Sequence, residues 1–173
     1  MPDSSPATQD STAQVVQAWG HQRPDLDASP LEVFSRVTRL AKYLDQIRGA
    51  TFDRHGLQGW EFDVLAELRR AGEPYELKPG QMSAQMLVSS GTMTNRIGRL
   101  AAGGLVERRE DGDDKRVSWV RLTPAGRDRV DAALADLLDQ EAVLLAPLKS
   151  AARQATGRAL ASLLEPLEGI RPS

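Results

Sequence analysis

The stretch that decides the fold is residues 87–126, LVSSGTMTNRIGRLAAGGLVERREDGDDKRVSWVRLTPAG. Its apolar residues first recur with a helical period, which predicts a helix over about residues 90–102. Two segments predicted as short strands follow, LVERR at residues 105–109 and RVSWVRL at residues 116–122, and they flank a crowded charged segment around Gly112. This order predicts a helix followed by a β-hairpin with a charged tip.

The two faces of that helix differ in chemistry. Met93, Ile97 and Leu100 share one narrow stripe and are expected in the core. The opposite face consists of small or hydrogen-bonding residues: Gly91, Thr92, Thr94, Asn95, Gly98 and Arg99. Such residues suit a helix pressed into the major groove of DNA, where arginine pairs with guanine and asparagine with adenine. The alternative is an exposed helix face whose polar residues bind nothing.

Local signals set the ends of two helices. Ser90 can cap the helix over residues 90–102, and Gly103 and Gly104 tolerate a left-handed exit from it. Thr123 followed by Pro124 combines a cap with a first-turn proline, so another helix begins directly after the hairpin.

Further helices are expected on both sides. They are a short helix around Val15, Val16 and Trp19, a longer one over about residues 31–52, one over 57–72, a short one over 79–87, the helix from Thr123 that Pro147 ends, and a final helix. The chain is therefore predicted to be mainly α with a small β-hairpin wing. This is the arrangement of a winged helix-turn-helix.

The charge of the chain is uneven. The net charge is −2, but residues 89–129 carry nine basic and six acidic side chains, a net charge of +3, so the rest of the chain carries −5. A local basic excess around the helix and hairpin favours contact with a nucleic acid there.

Several kinds of chemistry are excluded or unsupported. With no cysteine, disulfides, thiol nucleophiles and cysteine-ligated zinc are ruled out. His21 and His55 do not lie at helical spacing from another metal ligand, so no metal site is predicted. The sequence contains neither a phosphate loop nor a Ser-His-Asp arrangement with plausible roles, so we predict no catalytic residue, no enzyme activity and no cofactor.

The first residues, MPDSSPATQDSTAQ, are polar and lack an apolar segment. They predict a disordered tail over residues 1–10 rather than a signal peptide or a membrane anchor. A cytoplasmic protein is expected.

Residues 87–126 closely resemble the recognition helix and wing of the MarR family of bacterial transcription regulators. Asp114 and Arg116 followed by LTPAG are the most specific part. The resemblance implies an obligate homodimer that binds a pseudo-palindromic double-stranded operator, with its recognition helices roughly 34 Å apart, and releases it when a small molecule binds. The DNA contacts it implies are Ser89, Ser90, Thr92, Thr94, Asn95, Arg99, Lys115 and Arg116.

In this interpretation residues 11–173 form a single winged-helix domain. Its DNA-binding core comprises residues 57–123, and residues 11–52 and 124–170 supply dimerisation helices.

The segments VQAWGHQRPDLD (16–27) and EFDVLAELRRAGEPYELKPGQ (61–81), together with the wing, resemble the PecS branch, which includes urate-responsive repressors. The resemblance implies a small anionic effector such as urate, bound by Trp19, Asp63, Arg96 and Arg108. Another small carboxylate or a phenolic acid is the alternative effector.

The residues themselves support part of this assignment of ligand residues. Arg96 flanks the apolar stripe of its helix and points away from the predicted groove face. Asp63 lies between two apolar stripes, where a carboxylate needs a partner. A structural ion pair between Asp63 and Arg108 without any ligand is the alternative, and Trp19 is equally suited to anchor a dimer. A further alternative is a winged-helix protein-interaction module that does not bind DNA.

Overall fold

The structure is a computed structural model that describes residues 11–110 and 118–168. The tail predicted over residues 1–10 lies outside these described residues. The chain divides into two compact units, Met1–Ala50 and Thr51–Ser173. No helix in the described ranges is long and apolar enough to cross a membrane.

The first unit is helical. Helix α1 spans Ser11–Gln22, and helix α2 spans Pro30–Arg54, with its last four residues counted in the second unit. Both helices predicted in this part of the sequence are formed. Local polar contacts fix the connection between them. The guanidinium of Arg23 donates to both carboxylate oxygens of Asp25 at 2.8 and 2.6 Å, which holds the pKa of that carboxyl below its ordinary value.

The second unit contains the helices that the sequence predicts around the hairpin. They are α3 (Gly59–Arg70), α4 (Pro79–Gln85), α5 (Ser90–Ala102), α6 (Pro124–Leu145) and α7 (Ser150–Glu168). Helix α5 has the predicted bounds, but its cap is Ser89 rather than Ser90. The hydroxyl of Ser89 accepts a hydrogen bond from the Thr92 N–H at 3.2 Å, because Ser89 is still in extended backbone.

The hairpin is part of a three-stranded antiparallel sheet. Its strands are β1 (Glu76–Leu77), β2 (Val106–Glu110) and β3 (Ser118–Leu122), and they lie in the order β1-β3-β2. Strands β2 and β3 form the predicted wing, with Val106 opposite Leu122. The sequence predicts a loop where β1 lies. Two residues are too short to show alternation, and only pairing with β3 makes this segment a strand.

The core of the second unit lies where α3, α5, α6 and the sheet meet. Met93, Ile97 and Leu100 are buried, which confirms the apolar stripe predicted for α5. From α3, Phe62, Val64, Leu65 and Leu68 are buried, and the ring of Phe62 stacks on that of Phe52 with centroids 4.2 Å apart. The core thus fixes which face of α5 points outward.

Gly126 joins α6 to the wing. The predicted cap is confirmed, since Thr123 Oγ1 accepts from the Gly126 N–H at 3.0 Å and also donates to the Gly104 carbonyl at 2.8 Å. A Cβ on Gly126 would lie 2.0 Å from the carbonyl oxygen of Leu105. Only glycine therefore allows the first turn of α6 to pack against the start of the hairpin.

Candidate nucleic-acid interface

Helix α5 presents one exposed face away from the core. This groove face comprises Gly91, Thr92, Thr94, Asn95, Gly98 and Arg99, all of them exposed, whereas the three apolar residues on the other side are buried. The groove face lacks bulky apolar side chains, so it is open to close approach by another surface. Its polar side chains offer both donors and acceptors.

Two serines and a threonine occupy the start of α5. Ser89, Ser90 and Thr92 are exposed, and the Ser89 and Thr92 hydroxyls lie 2.9 Å apart. Part of the hydrogen-bonding capacity of Ser89 is used in capping. The start of an α-helix favours an anion such as a phosphate, because the first N–H groups have no partners within the helix.

The arginines of α5 share one aromatic neighbour. The guanidinium carbon of Arg99 lies 4.8 Å from the ring centroid of Trp60, and that of Arg96 lies 5.5 Å from it. The Trp60 Nε1–H donates to Gln58 Oε1 at 2.5 Å. No prediction from the sequence pairs Trp60 with these arginines. This stacking was missed because no sequence spacing shows that α3 and α5 bring these side chains together.

Arg108 connects the wing to α5. It is exposed, and its Nη2 donates a long hydrogen bond of 3.4 Å to the carbonyl oxygen of Thr94 in the middle of α5. This bond joins the base of the hairpin to the backbone of α5 at the groove face.

A second group of side chains joins both strands of the wing to neighbouring elements. Arg109 Nη2 donates to Glu76 Oε1 at 3.0 Å, and Lys78 Nζ lies 4.9 Å from the ring centroid of Trp119. These contacts tie β1 and the start of α4 to the hairpin. The predicted tip residues Gly112, Asp114, Lys115 and Arg116 lie outside the described residues.

The remaining predicted ligand residues occupy different settings. Asp63 is exposed, so α3 is less enclosed than its two apolar stripes suggest. Trp19, in the first unit, is 52% exposed and lines a cavity of about 220 Å³ with Arg23, Leu26, Pro30 and Leu31 among its neighbours. Of the four predicted ligand residues, Arg96 lies on α5 and Arg108 contacts α5.

Comparison with known proteins identifies the family. Residues 55–117 match the profile described as the MarR family. The HTH-type transcriptional regulator PecS of Dickeya dadantii (strain 3937) is 31% identical over 135 residues, which are 78% of this chain and 81% of that protein. The chain belongs to the MarR family.

Two further proteins are similar to this chain. The HTH-type transcriptional repressor YetL of Bacillus subtilis (strain 168) is 29% identical over 110 residues, which are 64% of this chain and 65% of that protein. A structure of a mutant MarR from E. coli complexed with operator DNA is 20% identical, with a TM-score of 0.64, and covers 84% of this chain and 97% of that one. The likeness confirms the winged-helix architecture of the MarR-family chain.

Proposed function

We propose that this MarR-family chain is a ligand-responsive transcriptional repressor that binds a pseudo-palindromic DNA operator as a homodimer. The observation that carries the proposal is the groove face of α5. Its six residues are exposed together on a helix whose opposite side is anchored in the core by Met93, Ile97 and Leu100. A protein that reads the major groove needs a rigid helix with small and hydrogen-bonding residues on its outer face.

The individual side chains suggest roles in binding. Arg99 can donate two hydrogen bonds to guanine, and Asn95 can bond both edge atoms of adenine. Ser89, Ser90 and Thr92, at the start of the helix, suit phosphate contacts. Lys115 and Arg116 at the tip of the wing remain predicted contacts to the minor groove or the phosphates.

The homodimer is supported by apolar side chains that the single chain leaves exposed. On α6 and α7 these are Leu134, Leu138, Val143, Leu144, Leu145, Leu160, Leu163, Leu164 and Leu167. So many large apolar groups on two helices favour burial against a second copy of the chain. Sedimentation equilibrium tests this, and a monomer at micromolar concentration would contradict it.

A small anionic effector is supported by the two arginines next to the groove face. Arg96 is half-buried beside Trp60, and Arg108 bonds the Thr94 carbonyl. An anion paired with either guanidinium would compete with these contacts and so alter how α5 and the wing are held. A ligand shifts DNA binding only to the extent that it binds the released form more tightly. Urate is the first candidate, with Asp63 as a further predicted ligand residue and Trp19 as either a ligand residue or a dimer anchor.

The first experiment identifies the operator. Purified protein selects fragments from genomic DNA, and the recovered site is then compared with a scrambled duplex of equal length. Specific binding that weakens steeply with salt is expected. If both duplexes bind equally at every salt concentration, the DNA-reading function is wrong, and the fold serves another purpose, such as binding a protein.

The second experiment tests the effector on that operator. Urate is titrated into the protein–operator complex of the wild type, Arg96→Ala and Arg108→Ala, with Arg70→Ala as a control because Arg70 is an exposed arginine of α3 that pairs with Glu67. Urate should release the wild type and the control but not the first two variants. Unchanged affinity of the wild type at saturating urate would exclude urate. Small carboxylates and phenolic acids would then be tested in the same way.

A further inference from the structure

Trp60 lies at the start of α3 and outside every group of residues with a predicted contact to DNA or ligand. Two cations from α5 nevertheless lie near its ring, the Arg99 guanidinium at 4.8 Å and the Arg96 guanidinium at 5.5 Å. Trp60 is half-buried, and its Nε1–H bonds Gln58 Oε1 at 2.5 Å. The ring is therefore held by packing and by a hydrogen bond, independently of the arginines.

A held aromatic ring restricts a long flexible side chain. An arginine has several rotatable bonds, and freezing them when DNA binds opposes binding. A guanidinium within about 6 Å of a tryptophan ring is attracted to it, and tryptophan is the best aromatic partner for this interaction. Arg99 is exposed on the groove face, so contact with Trp60 reduces the number of directions in which it projects before DNA arrives.

We propose that Trp60 is a positioning residue that sets Arg99 for base recognition. The proposal rests on the proposed function, since it assigns Trp60 to the arginine that reads guanine. Trp60 does not touch DNA in this view. It acts through Arg99, and it raises the preference for the operator rather than the affinity for DNA in general.

The Trp60 ring also lies near the guanidinium of Arg96. Two guanidinium groups near one ring repel each other, and Arg99 lies nearer to its centroid. Removal of Arg96 should therefore leave Arg99 on the ring, whereas removal of Trp60 should release both arginines.

The test is a double-mutant cycle on the selected operator. Affinities are measured for the wild type, Trp60→Leu, Arg99→Ala and the double variant, on the operator and on a scrambled duplex of equal length. Trp60→Leu is expected to weaken operator binding about five- to tenfold, of the order of one cation–π contact, while scrambled-duplex affinity changes less than about twofold. The double variant should bind no more weakly than Arg99→Ala alone.

Two further measurements separate positioning from folding. Trp60→Phe, which keeps an aromatic ring, should restore most of the operator preference, and circular dichroism checks that each variant is folded. In the free protein, NMR relaxation of the Arg99 Nε–H should show an ordered side chain in the wild type and a mobile one in Trp60→Leu. This readout requires no DNA.

Three results would overturn the proposal: an additive cycle, equal weakening on both duplexes, or an Arg99 side chain equally mobile in the wild type and in Trp60→Leu. If the proposed function is wrong, the wild-type protein will not prefer any selected duplex over the scrambled one. In that case the relaxation data still decide whether Trp60 holds Arg99.

Discussion

Among the glycines that the structure describes, Gly126 leaves the least room for an added methyl group. The Cβ added by Gly126→Ala would lie 2.0 Å from the Leu105 carbonyl oxygen, 2.9 Å from its carbonyl carbon and 3.2 Å from Leu122 Cδ2. Ordinary contacts of such atoms begin near 3.4 Å, so the Leu105 backbone has to move by more than about 1 Å. That same carbonyl accepts a hydrogen bond from the Thr123 N–H at 3.1 Å, so this movement also strains the cap of α6.

The size of the effect follows from these contacts. Overpacking in a tight site costs about 1–3 kcal/mol, and a clash with backbone belongs at the upper end. For a chain of this length, about 3 kcal/mol lowers the melting temperature by roughly 6–12 °C. Thermal unfolding followed by circular dichroism measures the change.

Gly157→Ala is the matched control for this substitution. Gly157 lies within α7, and a Cβ there meets no atom within 4 Å. Alanine has the higher helix propensity, so this variant should be unchanged or up to about 1 kcal/mol more stable. A Gly126→Ala protein that melts within about 2 °C of the wild type would refute the close approach of α6 and the hairpin.

Other substitutions test separate parts of the molecule. Arg99→Ala should relax base preference by about 1–3 kcal/mol in a binding assay on operator variants, while Arg116→Ala should weaken all duplexes and reduce the slope of affinity against salt. Equal effects of the two would contradict the division between base and phosphate contacts. Leu87 has a φ of 52° and is 70% exposed, so Leu87→Gly should raise the free energy of unfolding by about 1 kcal/mol in urea melts, and a loss would be contrary evidence. Hydrogen bonds from Arg54 and then His55 hold the pKa of Asp136 below its ordinary value of 3.8. This carboxylate therefore stabilises the fold above that pH, and its contribution is lost as the pH falls through the lowered pKa. Asp136→Asn should be less stable than the wild type at pH 7, with a gap that narrows as the pH falls below 3.8, and a gap that stays constant through this fall would contradict the ion pair.

The fold was predictable wherever a local pattern decides it. The period of Met93, Ile97 and Leu100 identified the buried side of α5, and Thr123 with Pro124 marked the start of α6. Strand β1 was missed because it exists only through its pairing with β3. The predicted cap of α5, Ser90, lies one residue after the actual cap, Ser89. Adjacent serines offer the same hydroxyl, and only the backbone geometry selects Ser89.

The candidate site was predictable to a lesser degree. The groove face follows from periodicity, since a helix with one buried stripe must expose the other. The contacts of Arg99 with Trp60 and of Arg108 with the Thr94 carbonyl join different elements of the chain. No spacing in the sequence encodes such distances. The exposure of Asp63 shows the same limit, because a helical period places stripes relative to each other but does not tell how far neighbouring elements cover them.

The contacts of α6 indicate how effector binding would move α3, α5 and the hairpin together as a rigid body. Its first turn is bonded to the start of the hairpin through Thr123, while Asp131 accepts from Arg69 of α3 at 2.8 Å and Asp136 accepts from Arg54 at 2.9 Å. The first two contacts resist bending of α6 relative to the wing and α3, and the third joins α6 to the last residue of α2. If α6 also packs in the proposed homodimer, a change in its angle there would carry α3, α5 and the hairpin with it. Release of an operator would then require a change in the separation of two intact groove faces, not unfolding of either one.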